Sequence, residues 1–145
     1  MTTLDDVLAL AGREQFLATV ATLRGDGSIQ SSLVNAGVMD HIRSGERVVG
    51  FVTYGRAKLT NLRERPQIAL TWRSGWEWAT VEGRAELIGP DDPYPGVDRD
   101  RLSALLREVF ASAGGTHDDW DSYDRTMVEQ RRVAVLVTPT RVYSN

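Results

Sequence analysis

The chain has 145 residues and a mass of 16.1 kDa, enough for one domain with a sizeable core. Hydrophobic residues make up 41% and charged residues 26%, the balance of a soluble globular protein. The absence of cysteine excludes disulfides and thiolate metal sites, and a net charge of −3 argues against a general nucleic-acid binder.

No apolar run approaches a membrane span. Met1-Thr2-Thr3-Leu4-Asp5-Asp6 lacks the basic start and apolar stretch of a signal peptide, so a cytoplasmic protein with no membrane partner is expected. Charge is segregated along the chain. Between His41 and Arg73 seven residues are basic and two acidic, whereas between Asp91 and Glu129 ten are acidic and four basic. An anionic ligand is drawn to the first of these segments.

Thr3, followed by Asp6, resembles a capping box, and Leu4, Val7, Leu8 and Ala11 continue at helical spacing. Phe16 to Leu23 reads as a first strand, Arg24-Gly25-Asp26-Gly27-Ser28 as a hairpin turn, and Ile29 to Val34 as a second strand. A turn at His41-Ile42-Arg43-Ser44-Gly45 precedes a third strand, Arg47 to Thr53. Ala57 to Arg65 predicts a short helix closed by Pro66, which disfavours helical geometry in the residue before it.

Gln67 to Trp72 is then a fourth strand, and Trp76 to Ile88 a long fifth. In the fifth, Ala79, Val81, Gly83, Ala85 and Leu87 alternate with Thr80, Glu82, Arg84 and Glu86, so one face is buried. Leu102, Leu105, Leu106, Val109 and Phe110 mark an amphipathic helix from Asp98 to Ala113. A second helix is predicted from Asp118 to Gln130, and a final strand from Arg132 to Thr138 with a short extension at Val142-Tyr143. Five hairpin-linked strands, inserted helices and a returning strand predict a mainly β, small antiparallel barrel spanning residues 1–145.

The chain has no Gly-x-Ser-x-Gly elbow, Walker loop or Gly-x-Gly-x-x-Gly after a strand. His41 and His117 fall in predicted turns, without partners at metal-ligand spacing, and read as surface residues. Asp118, Asp119, Asp121 and Asp124 cluster at a predicted helix start, where negative charge complements the dipole. Any enzymatic reactivity then belongs to a bound cofactor.

One residue stands out. Lys58 is the only lysine beside sixteen arginines, and it lies two residues after Arg56 where a strand gives way to a helix. Free N–H groups and the dipole at a helix start favour an anion, and two cations there make a phosphate seat. On charge alone, Arg56-x-Lys58 also fits a solvated helix face.

The run Gly55-Arg56-Ala57-Lys58-Leu59-Thr60-Asn61-Leu62-Arg63-Glu64-Arg65-Pro66 resembles the cofactor-phosphate motif of split-barrel flavoproteins related to pyridoxamine 5′-phosphate oxidase. Gly75-Trp76-Glu77-Trp78, Trp120-Asp121-Ser122-Tyr123 and Met127-Val128-Glu129-Gln130-Arg131-Arg132-Val133 resemble the branch that binds the deazaflavin coenzyme F420. The resemblance implies a homodimer of six-stranded split β-barrels, FMN-binding-like in fold, with cofactor sites at the subunit interface.

By that resemblance, Arg56, Ala57 and Lys58 seat the cofactor's phosphate, with Asn61 hydrogen-bonding nearby. Val52, Thr53 and Tyr54 lie along the ribityl chain and ring, and Gln30 and Ser32 reach the ring system. Trp76 and Trp78 come from the partner subunit, the alternative being ordinary barrel or interface packing. The implied activity is hydride transfer from reduced F420 to an unsaturated or conjugated small molecule. FMN chemistry on the same fold and a non-catalytic F420- or flavin-binding protein are the alternatives. The chain departs from the pattern at Leu33, where related enzymes often carry Asn. It also lacks the C-terminal Arg-containing segment that binds vitamin B6 substrates. The bias of Arg over Lys points to a GC-rich actinobacterial genome.

Overall fold

The computed structural model describes residues 1–145. Thr3 caps α1 (Leu4–Ala11) through the expected box: its hydroxyl accepts the Asp6 N–H while the Asp6 carboxylate accepts the Thr3 N–H. Gln15 and Phe16, both left-handed, turn the chain into β1 (Leu17–Leu23). The strands β2 (Ile29–Asp40), β3 (Arg47–Thr53), β4 (Gln67–Ser74), β5 (Glu77–Ile88) and β6 (Val133–Ser144) follow. Helix α2 (Arg56–Glu64) lies between β3 and β4, and α3 (Arg99–Ser112) and α4 (Trp120–Glu129) lie between β5 and β6.

The strands close in the order β1-β2-β3-β6-β5-β4, with β4 returning to β1 and every ladder antiparallel. This is the expected six-stranded antiparallel barrel. One detail of the connectivity differs: β3 and β4 are not a hairpin, because α2 carries the chain across the barrel end. β3 pairs with β6 and β4 with β1.

Alternating residues fill the interior, among them Val20, Val49, Phe51, Leu70, Trp72, Val81 and Val135, all nearly or fully buried. Leu59 and Leu62 of α2 and Val7 and Leu10 of α1 pack into the same cluster and stop the barrel. Deleting most of a buried ring such as Phe51 costs about 3–5 kcal/mol in such a core. A second layer sits outside it. Leu105, Leu106, Val109, Tyr123 and Met127 of α3 and α4 cover Val48, Ile88, Ala134 and Leu136. Val133 to Val137 of β6 are therefore buried on both faces, which explains their unbroken apolar run.

Three strands run longer than the sequence predicts, β4 by only two residues, to Ser74. β2 continues past Val34 to Asp40, because Gly37 is a packing residue and not a breaker. A Cβ there would stand 2.1 Å from the Ser112 carbonyl oxygen at the end of α3. β6 continues through Pro139, which the β5–β6 ladder accommodates at a register shift between Glu82 and Gly83. No helix is long and apolar enough to cross a membrane.

Candidate functional site

The barrel is split between β2 and β3. Their ladder runs from the Asp40–Arg47 pair to the Ala36–Phe51 pair and stops, while Ile29 to Asn35 keep only β1 as a partner. A cleft of about 280 Å³ opens where the strands part. Leu33, Val34 and Asn35 line it from β2; Val52, Thr53 and Tyr54 line it from the end of β3, joined by Gly55, Lys58 and Arg132.

Helix α2 starts at this cleft without a side-chain cap. Its N-cap is Gly55, and Thr53 Oγ1 accepts only the N–H of Gly55 itself, at 3.3 Å. Lys58 Nζ folds back over that N-terminus, 3.4 Å from where a Cβ on Gly55 would stand. Lys58 is only 6% exposed. Burial pushes its ammonium pKa below the ordinary value, and no carboxylate lies close enough to offset that. The solvated-face reading of Lys58 is thereby overturned: the residue is buried, and it lines the cleft. Arg56 is exposed on the same first turn, as is Ala57.

Arg132 supplies a third cation that the sequence reading did not single out. Its guanidinium lies 3.8 Å from the Tyr54 ring centroid, and its only side-chain hydrogen bond is donated to Gln130 Oε1 at 2.8 Å. Burial lowers its pKa also. No acidic residue lines the cleft. The signal was present in the Arg131-Arg132-Val133 run, but nothing local says which arginine turns toward the barrel mouth.

Asn61 is buried and donates to Thr22 Oγ1 at 3.0 Å; Thr22 donates in turn to Gln30 Oε1 at 3.1 Å. This chain fixes the Gln30 amide with its oxygen occupied, leaving the NH₂ as the free group. None of these three residues lines the cleft itself. Ser32, one alternation further along β2, has a buried hydroxyl with no hydrogen-bond partner. An orphaned buried hydroxyl beside an unpaired strand edge is a place where a polar ligand atom restores a lost bond.

Trp76 and Trp78 stand apart from this group. They border a separate concavity of about 810 Å³ with Leu17, Leu33 and Arg73, and Leu33 belongs to both hollows. Trp76, the first residue of the predicted fifth strand, sits instead in the β4–β5 turn just before β5 and is 94% exposed. Trp78 packs edge-on against Tyr143, with centroids 6.1 Å apart. The surface reading of His41 is also corrected. Its side chain is 8% exposed, it bonds Glu86 at 2.7 Å through Nε2, and Nδ1 accepts the Arg43 and Ser44 N–H groups. It pins the 41–45 turn to β5.

The family model described as Pyridoxamine 5'-phosphate oxidase matches residues 4–145. Among solved structures, the conserved hypothetical protein Rv2991 of Mycobacterium tuberculosis is 19% identical, with a TM-score of 0.69 over 99% of this chain and 84% of its own. An F420 reductase is 21% identical, with a TM-score of 0.56 over 89% and 90% of the two chains. A pyridoxamine 5'-phosphate oxidase-related, FMN-binding protein of Nostoc punctiforme is 15% identical, with a TM-score of 0.57 over 90% and 74%. At these identities the likeness is one of fold. The match over nearly the whole chain, on a barrel split beside an uncapped cationic helix start, assigns this protein to the pyridoxamine 5'-phosphate oxidase family.

Proposed function

We propose that the protein is an F420-dependent oxidoreductase that passes a hydride from the reduced deazaflavin to a conjugated small molecule. The observation that carries this reading is Lys58, a buried cation with no protein partner at the uncapped start of α2. Such a charge is costly to keep unless a ligand anion neutralises it. The residues fit a phosphate-bearing, extended cofactor. Arg56, Lys58 and the N–H groups at the start of α2 hold the phosphate. Val52, Thr53 and Tyr54 run along the chain and ring. The NH₂ of Gln30 and the hydroxyl of Ser32 are free for the ring's polar edge.

When bound, the cofactor supplies the hydride; the protein's part is to bind, orient and exclude water. Arg132, stacked on Tyr54, holds one wall of the cleft in place. The apolar face carrying Leu17, Leu33, Trp76 and Trp78 supports a homodimer in which Trp76 and Trp78 border the partner's site. Leu33 joins this face to the cleft, so pairing closes both together.

Titration of F420 and of FMN into the purified protein, followed by fluorescence, tests the assignment. Tighter binding of F420, and loss of roughly 10- to 100-fold in affinity in Lys58→Ala, are expected from one charge-assisted contact. Preference for FMN moves the protein to the flavin members of the fold. Oxidation of reduced F420 only when an acceptor is present separates an enzyme from a carrier. A monomer in sedimentation at micromolar concentration removes the shared site.

A further inference from the structure

A second hollow adjoins the cleft. Asn35, Val52 and Arg132 line both, and beyond them lies a space of about 470 Å³ between β2, β3 and the α3–α4 corner. Its size suits a one- or two-ring molecule. Phe110, Tyr123 and His117 give it three aromatic rings. Phe110 and Tyr123 lie 5.0 Å apart between centroids, and His117 and Tyr123 5.8 Å. The Tyr123 hydroxyl is donated to the Leu106 carbonyl at 2.9 Å, and burial pushes its pKa up to about 12, so the residue offers a neutral ring.

The polar lining has one sign. No carboxylate lines the hollow, and Arg132 is its only charged group. Of the acidic residues in the 118–124 run, Asp118 is fully exposed, with its carboxylate 3.8 Å from His117 Nδ1 on the solvent side, and Asp121 lies 4.0 Å from Arg107; neither lines the hollow. Asp119 caps α4 by accepting the Ser122 N–H, and Asp124 is held by both Arg107 nitrogens, at 2.9 and 2.5 Å. His117 accepts the Asp119 N–H at Nδ1, which leaves Nε2 as the ring's donor. Aromatic walls with a guanidinium at the edge that meets no carboxylate favour a flat ligand that carries a negative charge. The absence of glycine side chains makes room: a Cβ on Gly115 would stand 2.5 Å from the Phe110 ring and drive it out of place.

We infer that this hollow is the acceptor subsite and that it takes a planar aromatic or conjugated carboxylate. The ring lies among Phe110, Tyr123 and His117, and the carboxylate meets Arg132 at the border with the cofactor cleft. The word acceptor rests on the function proposed above; the ligand class rests on the lining alone.

The test uses 1-naphthoate and its neutral analogue 1-naphthalenemethanol, titrated into the cofactor-free protein by calorimetry. Naphthoate is expected to bind at least about fivefold tighter than the alcohol, the gain of one charge-assisted contact at a partly wet site. Arg132→Gln erases that preference, and Lys58→Ala leaves it in place. His117→Ala, on an exposed turn, weakens both probes and keeps the preference, which serves if Arg132→Gln does not fold. Equal binding of the two probes to wild type, no binding of either, or a preference that is lost in Lys58→Ala overturns the subsite. The F420 titration is independent of it. Normal F420 binding with no naphthoate preference removes the subsite alone, and failure of F420 with a preference that depends on Arg132 removes the cofactor reading alone.

Discussion

The two ends of helix α2 are built to opposite rules. At its C-terminal end every cation is answered. Arg63 grips Asp92 with two nitrogens, at 2.8 and 2.7 Å, and Arg65 donates to the Leu23 carbonyl and to Glu64. At its N-terminal end Arg56 and Lys58 have no partner, and the cap residue has no side chain. One end fastens the helix to the 89–92 turn and β1. The other leaves two cations without a protein partner, the arrangement that, under the function proposed above, seats a ligand anion.

Exchanging the ammonium for a neutral side chain of similar length breaks the comparison most directly. Lys58→Met keeps the packing against the barrel and removes the charge. F420 affinity is expected to fall by roughly one to two orders of magnitude. The unliganded protein is expected to become more stable, by about 1 kcal/mol, because an uncompensated buried charge has gone. Thermal melts with and without F420 read both effects. A lower melting temperature for the unliganded variant means that Lys58 has a stabilising partner and is not held in reserve.

The C-terminal end answers in the opposite sense. Asp92 is mostly buried beside Arg63, so Asp92→Ala leaves a solvent-exposed guanidinium without its partner and costs about 0.5–1 kcal/mol of stability. F420 affinity is expected to stay within about twofold, since the pair lies at the far end of the helix. A large loss of affinity with unchanged stability makes the fastening end part of the site. Arg132→Gln lies between the two cases. It keeps hydrogen-bonding capacity but loses the stack on Tyr54, and a loss of about three- to tenfold in F420 affinity is expected from a partly exposed cation–π contact.

These differences were only partly legible in the sequence. Third-strand bounds at Arg47 and Thr53 follow from a short apolar run between turn signals, and the inward set Ala79, Val81 and Gly83 from local alternation; neither needs knowledge of neighbours. The pair of cations at the start of α2 was legible because Arg56 and Lys58 are close in the chain. Arg132 was not, because it reaches the cleft only after β6 pairs with β3, and the Thr22 contact to Gln30 forms only after β1 pairs with β2. Burial of Lys58 was equally hidden. A helix with Leu59 and Leu62 on one face shows which side packs, but not that the lysine beside them is buried too. His41 failed for a related reason: its partner Glu86 lies on a strand that only the closed barrel brings near.

The smallest effect, and the one that most sharpens the contrast, is the pH dependence of the unliganded protein. Burial lowers the pKa of Lys58 in the folded state below its ordinary value of 10.5, while the unfolded chain keeps that value. Between the two, the unfolded state binds more protons, so stability rises with pH across that window. Below the folded pKa the full cost of the buried charge is present; above the ordinary value it is gone. Lys58→Met removes this rise, so subtracting the two stability profiles from pH 7 to 10 isolates it from every other titrating group. Bound anion acts in the reverse direction. It favours the charged ammonium and raises its pKa, so F420 affinity is expected to fall as pH climbs through the folded pKa in wild type and to stay flat in Lys58→Met. A wild-type difference profile that is flat with pH, with the affinity equally flat, means that the ammonium is solvated and the two ends of α2 do not differ in kind.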